Sequence, residues 1–365
     1  MAARSDLVHL LERVLSLPTA PFHERFVSLL LRQELEEAGL DYQLDAYGNI
    51  IVGYESEKDS VACVAHMDHP GFEIVEAGRG DAEAAWYGGV GPDYFRGSRV
   101  VIYEQSSGAV RARGRVEKIS RDPQGRVEKM MLRVDGDVAR GDFGTWDLPP
   151  FRRRGKLIYT KGADDLVGCA VVLAVLKAFK EKGIARGIRG IFTRAEEQGF
   201  IGTLGMIQSG LLPPSARIVS VETSKAVSGV ALGKGPVIRL GDRTGIFHHQ
   251  MILFMDHVAR EVQKKDRGFV YQRRVMDGGT CEATPYQLNG YVTGGIAVPL
   301  RNYHNQGRRG IEPEAVHLGD VEGAVRLLLE MALRMEEFEL PAREILNRWQ
   351  GAWQRYGDRL HNKPG

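Results

Sequence analysis

Cysteine is scarce in this chain: Cys63, Cys169 and Cys281 are scattered and odd in number, which argues against a disulfide framework. A reducing cytoplasm is therefore the expected compartment. A surplus of one charge is missing too. Forty-nine lysines and arginines face 47 acids, a net charge of +2, so there is no electrostatic case for nucleic acid or an anionic membrane as partner. No apolar run approaches the ~18 residues of a membrane span. The opening "MAARSDLVHLLERVLSLP" alternates charge with leucine, unlike the unbroken apolar core of a signal peptide. Internal repeats and low-complexity tracts are absent as well. What remains is an ordinary globular composition, 43% apolar over 365 residues, a length suited to about two domains.

Residues 5–38 read as two helices, "SDLVHLLERVLSL" and "HERFVSLLLRQELEEAG". Strand-like stretches follow in "YQLDAYGNIIVGY" and "SVACVAHMDHPGFEIV", the second apolar up to His66. From about residue 76 to 154 the texture changes to short β-like runs ("SRVVIYEQ", "AVRARGRVEKI", "VEKMMLRVDG") parted by Gly, Asp and Ser. That pattern predicts a small β domain inserted into an α/β chain whose two parts are 1–75 and 155–340. After the insertion, "DDLVGCAVVLAVLKAFKEKG" is apolar around most of its circumference and predicts a buried helix. Strands ("GIRGIFTRA", "ARIVSVET", "GYVTGGIAVPL") then alternate with helices, as in a layered α/β domain. The tail, 341–365, carries Leu346, Trp349, Trp353, Tyr356 and Leu360 at alternating steps of three and four, a helical stripe. Its first reading is docking on the chain's own core, its second a contact between subunits.

Several acids and histidines stand where apolar strands end. His66 and Asp68 are two apart and share one face of an extended chain. An Asp there can accept the second N–H of an imidazole and fix its tautomer, although a surface pair explains His-x-Asp equally well. His69 reads as solvent-facing. Asp164 and Asp165 open the buried helix, where one caps it and the other is spare. Glu196 and Glu197 follow a buried strand; on an extended chain they point to opposite sides, and two solvated glutamates would look the same in sequence. "RIVSVETS" brings Glu222, and "GIAVPLRNYHNQG" brings Arg301, Tyr303 and His304. Strand ends are where open α/β sheets form their crevices. A mixed His/carboxylate set suits Zn²⁺, Co²⁺ or Mn²⁺ rather than a thiolate site. Two metals sharing a carboxylate need about five protein ligands, and His66, Asp164, Glu197, Glu222 and His304 fit that count. Glu196 would then serve as general base to the water between them.

In this order, His-x-Asp, Asp, Glu-Glu, acid, His, the chain resembles the di-metal aminopeptidases of the tetrahedral (TET), glutamyl aminopeptidase or "cellulase M" family. The likeness runs over roughly residues 5–335 and takes in "AYGNIIVG", "HMDHPGF", "GADDLVGCA", "FTRAEEQGFIGT", "ALGKGPVI", "GGTCEA" and "VPLRNYHNQG". The resemblance implies an α/β catalytic domain, a mixed sheet flanked by helices of the zinc-peptidase, phosphorylase/hydrolase-like type. It also implies that the insertion is a β-barrel dimerisation domain. Two zinc or cobalt ions, a peptide substrate cut at its N-terminus, and a homo-oligomer (dimer or twelve-subunit shell) follow from it. Carried over, His66 and Glu222 serve one metal, Glu197 and His304 the other, and Asp164 bridges; Asp68 orients His66 and Glu196 is the base. Three departures stand out: Glu222 where the family has Asp, "GGTCEA" for "GGTDA", and Arg301-Asn302-Tyr303-His304-Asn305 for Arg-Tyr-x-His-Ser. Cys281 reads as a small buried filler rather than a ligand. Other readings are a di-metal carboxypeptidase or N-acyl-amino-acid deacylase, and an inactive assembly protein on this fold.

Overall fold

Apolar runs bounded by glycines and acids become the strands of one 11-stranded sheet. The computed structural model describes residues 4–53, 60–184 and 187–360. The sheet strands are β1 (Tyr42–Leu44), β2 (Ile50–Val52), β3 (Val61–His66), β10 (Arg152–Arg154), β11 (Leu157–Thr160), β12 (Ile188–Thr193), β13 (Arg217–Lys225), β14 (Val237–Asp242), β15 (Gln272–Met276), β16 (Val292–Arg301) and β17 (Glu314–His317). Their order is β1-β2-β12-β3-β13-β16-β17-β11-β10, with β14 pairing both β16 and β15. The middle strands β12, β3, β13 and β16 are mutually parallel. All four therefore end at the same edge, where the acids and histidines of the sequence accumulate.

Strand alternation divides the core between two faces. Val61, Cys63 and Ala65 enter the larger cluster while Ala62 and Val64 enter a smaller one with Met206 and Tyr286. Helices α1 (Arg4–Leu15), α2 (Arg25–Glu37), α3 (Leu166–Glu181), α5 (His249–Lys265) and α7 (Leu318–Leu333) contribute to the larger cluster; α4 (Ile201–Ser209) and α6 (Ala283–Leu288) cover the other face. Covering both faces is what lets the parallel strands be apolar throughout. The helix α3 has buried residues around its whole circumference, as its composition demands. The last helix is α8 (Leu340–Tyr356). No helix among the described residues is long and apolar enough to cross a membrane.

The insertion closes into a six-stranded antiparallel barrel, β4 (Gly71–Ala77), β5 (Asp81–Tyr87), β8 (Val127–Val134), β7 (Val110–Arg121), β6 (Arg99–Tyr103) and β9 (Phe143–Trp146), in that spatial order. Its interior is built around Trp86, Phe95 and Trp146, with ring centroids 4.8–5.3 Å apart. The barrel strands occupy 71–146 rather than 76–154. Phe72 and Ile74 alternate inward from the first strand residues, and β10 has already joined the large sheet.

The tail departs from its first reading. Leu346, Trp349, Trp353, Tyr356 and Leu360 are 53, 62, 62, 51 and 77% exposed, so the stripe does not dock on the chain's own core. Residues 361–365 of the expected tail lie outside the described residues.

Candidate metal centre

Beyond the ends of the parallel strands, three groups of ligand-type atoms lie within 4.8 Å of one another: His66, Asp164 and Glu222; His66, Glu196 and Glu197; and Asp164, Glu197 and His304. Asp164 belongs to the first and the last of them. Its Oδ1 faces His66 Nε2 at 3.6 Å and its Oδ2 faces His304 Nε2 at 3.4 Å. Asp165, the neighbouring acid, caps α3 by accepting from the Gly168 N–H, and also accepts from the Thr223 hydroxyl. The adjacent aspartates thus divide as the sequence suggested, one for the helix and one for the cleft.

Each histidine is held so that Nε2 looks inward. His66 Nδ1 donates to the Asp68 carbonyl at 3.1 Å, and His304 Nδ1 to the carbonyl of Gly89 at 2.8 Å. Gly89 lies between barrel strands β5 and β6, so the inserted domain fixes one of the histidines of the centre. With Nδ1 protonated, Nε2 offers a lone pair. His304 Nε2 and Glu197 Oε1 are 2.8 Å apart, yet among the described residues neither has a hydrogen-bond partner; Asp164 Oδ1 is also buried and unpartnered. Buried acceptors and lone pairs that converge with no hydrogen bond among them are the arrangement a cation satisfies, and the mixed imidazole and carboxylate set fits a divalent metal. Cys281 is no part of it; the thiol packs with Phe247, Ile252 and Ala283.

Two expectations are corrected. Glu196 and Glu197 are not on an extended chain: Ala195 has φ 47° and the segment turns, so that both glutamates reach the His66 side of the cleft. Glu196 Oε2 lies 3.8 Å from His66 Nε2. His69 does not face solvent. It is 2% exposed, bonded through Nδ1 to the Asp164 carbonyl and through Nε2 to Asn305. Asp68 stands near its expected partner, with its carboxylate 3.5 Å from His66 Nδ1, but its tighter bonds run to the N–H groups of Glu196 and Glu197, 3.0 Å each. One carboxylate therefore spans the histidine and the glutamate pair.

Other positioning groups were not picked out from sequence. Glu314, fully buried on β17, accepts from Ala163 N, Asp164 N and His304 N, tying the loop of Asp164, 150 residues before it, to the loop of His304. Its one signal is an acid inside the apolar run "EPEAVHL". Glu24 accepts from Ala195 N and pairs with Arg194, while Asn49, the asparagine of "AYGNIIVG", bonds Arg194 N and the Gly202 carbonyl. These contacts hold the turn that presents Glu196 and Glu197. Glu282 accepts from Thr193 and Thr203 and gives its own N–H to Glu222.

The electrostatics reflect crowding of acids. Burial and then the surrounding acids, against the pull of His66, push Glu196 well above the usual carboxylate range; burial likewise raises Asp165 and Glu222. Burial carries Glu282 up to about 7. For His66 and His304 burial acts downward, yet the facing carboxylates leave both well above the ordinary imidazole value, so a cation taking the Nε2 lone pairs would displace a proton from them. Burial acts upward on Asp164, but the two histidines hold it low. Beside Glu222 one buried guanidinium, Arg239, bonds Ser224 and offsets part of the negative charge.

In sequence and fold the chain is similar to known aminopeptidases. The family model of M42 glutamyl aminopeptidase matches residues 48–327. An inferred aminopeptidase of Acetivibrio thermocellus is 24% identical over 345 residues, covering 89% of this chain and 98% of that protein. Among solved structures, the TET aminopeptidase of the marine sediment archaeon Thaumarchaeota archaeon SCGC AB-539-E09 superposes with a TM-score of 0.77 at 21% identity, over 91% of this chain and 99% of that one. The TET1 peptidase of Pyrococcus horikoshii, which can assemble into a tetrahedron or a large octahedral shell, gives 0.74 at 23%, over 89% and 99%.

Proposed function

This chain belongs to the M42 glutamyl aminopeptidase family, and on that footing we propose how it works as a metal-dependent aminopeptidase. His66 and Glu222 hold one divalent cation, Glu197 and His304 a second, and Asp164 is shared between them. The observation that carries this reading is Asp164, whose two oxygens face the Nε2 atoms of different histidines. Zinc is the first candidate, with cobalt or manganese as alternatives. Such a pair, when bound, supplies Lewis acidity and acidifies water toward neutrality. Glu196 stands where it can take a proton from the attacking water and return it to the leaving amine. Asp68 keeps Glu196 and Glu197 in place through their N–H groups, and Glu314 does the same for Asp164 and His304. The cleft in front of them is narrow and bordered by Lys225, Met276 and Tyr303, which suits an extended peptide end.

The relatives' shells support a homo-oligomer here, a dimer or a dodecamer, with the barrel as the dimerisation domain. Three unpaired, buried cysteines suit the cytoplasm. The test is elemental analysis beside turnover of aminoacyl amides by the parent and Glu196→Gln. Two equivalents of divalent metal in both, with hydrolysis of free-N-terminus substrates reduced at least about 100-fold in the variant, is the expected result. Unchanged turnover would remove Glu196 as the base.

A further inference from the structure

The C-terminal helix leaves the body of the protein. Its base is anchored: Pro341 is buried, and Phe338 just before it lies under Arg217 and against Phe254. From Leu346 to Leu360, by contrast, every residue is exposed except Gly357, which lies against Trp353 of the same arm. Beyond its anchored first turn the arm is close to the length of about 12–15 residues below which isolated helices are marginal in water. Gly351 near its middle costs about another 1 kcal/mol. A cover over the exposed stripe would stabilise the helix.

The exposed stripe says what. Leu346, Trp349, Trp353, Tyr356 and Leu360 recur at steps of three, four, three and four. That is the narrow a/d seam of a two-helix contact, not the broad face with which a helix lies on a globular core. Gln350 and Ala352, which flank the middle of the seam, are uncharged, and Arg359 beside Leu360 is the one charge on its flank among the described residues; Arg348 and Arg355 lie away from it. With half or more of each of the five side chains exposed, one arm offers on the order of 600 Å² of apolar surface. Complete burial of both stripes would remove about 1,200 Å², the lower bound of a specific interface.

We propose that this arm pairs with the same arm of a second copy of the chain, a contact separate from the barrel. It shares with the preceding section only the reading that the chain self-associates. The test uses the full chain: light scattering after size exclusion, with the emission maximum of tryptophan, for the parent, for Trp349→Glu/Trp353→Glu, and for Arg348→Glu on the far side. The expected result is an assembly whose mass falls by at least half in the double variant, with turnover per chain unchanged and Arg348→Glu like the parent. Dilution of the parent should shift its emission to the red as the arm tryptophans become wet. A double variant of unchanged mass overturns the arm contact and leaves other self-association standing. A monomeric parent overturns both.

Discussion

Replacing Glu314 by Gln tests whether the two halves of the centre are tied together by one carboxylate. Its Oε2 accepts from Ala163 N and Asp164 N and its Oε1 from His304 N at 2.7 Å. A glutamine offers a single carbonyl oxygen, so its amide must turn its NH₂ toward at least one of these donors. The milder orientation keeps the Asp164 side and abandons His304. Losing one hydrogen bond to a charged acceptor costs about 1.5–3 kcal/mol. The His304 loop is poised to absorb that loss, because Asn302, His304 and Asn305 all sit at positive φ, 58°, 54° and 60°, a conformation that non-glycine residues keep only when held. At about 1.4 kcal/mol per factor of ten, the loss corresponds to about 10–100-fold in affinity, the usual effect of removing a group that orients a ligand. Competition of zinc against a chromophoric chelator should therefore show the step assigned to Glu197 and His304 weakened by that factor. The step assigned to His66 and Glu222 should move by less than about threefold. Two unchanged steps, or two lost together in a variant that melts like the parent, would refute the tie.

Gly88→Ala should weaken the same step without altering any ligand. Gly88 has φ +100°, and a methyl there would approach Pro70 within 2.8 Å, displacing the loop whose Gly89 carbonyl holds His304 Nδ1; the chelator titration reads it. Lys161 is buried, with Tyr103 Oη at 3.0 Å, and burial lowers its pKa from 10.5 to about 7. Between these values the unfolded chain binds one more proton than the folded one. Stability should thus rise by up to about 1.4 kcal/mol per pH unit from about pH 7 to about pH 10, with the full penalty present below that window. Lys161→Met should flatten this slope in denaturant titrations, and an identical pH dependence in parent and variant would dismiss the charge effect.

The α/β frame was legible because parallel strands buried on both faces read as continuous apolar runs, as in "VACVAH", and because α3 lacks a polar side. The β insertion was legible from β6, β7 and β8, short strand-like runs parted by Gly, Asp and Ser, while its closure into a barrel came from the family resemblance. Ligand-type residues stood out where an acid or histidine interrupts such a run. Local conformation did not. Nothing in "TRAEEQG" announces that Ala195 takes a left-handed φ, so the glutamates were expected on opposite sides. His69 looked like a surface residue because its partners, the Asp164 carbonyl and Asn305, lie 95 and 236 residues away. Glu24 and Glu314 are hidden because each serves backbone N–H groups, which any sequence possesses, and Glu282 because its partners, the hydroxyls of Thr193 and Thr203, lie 89 and 79 residues away. The tail was half legible, its stripe read correctly and its burial not, since periodicity reports a face without naming what covers it.

The bond between His304 and Gly89 also bears on biosynthesis. Residues of the centre are strung from His66 to His304, and the barrel that steadies the last of them is made in between. A ribosome-bound chain can gather His66 and Asp164 once α3 has emerged, but the Glu197 and His304 half waits for nearly the whole chain and for the barrel to seat against it. A copy cut short after β13 therefore carries His66, Asp164 and Glu197 but lacks His304 and the bond that ties it to the barrel.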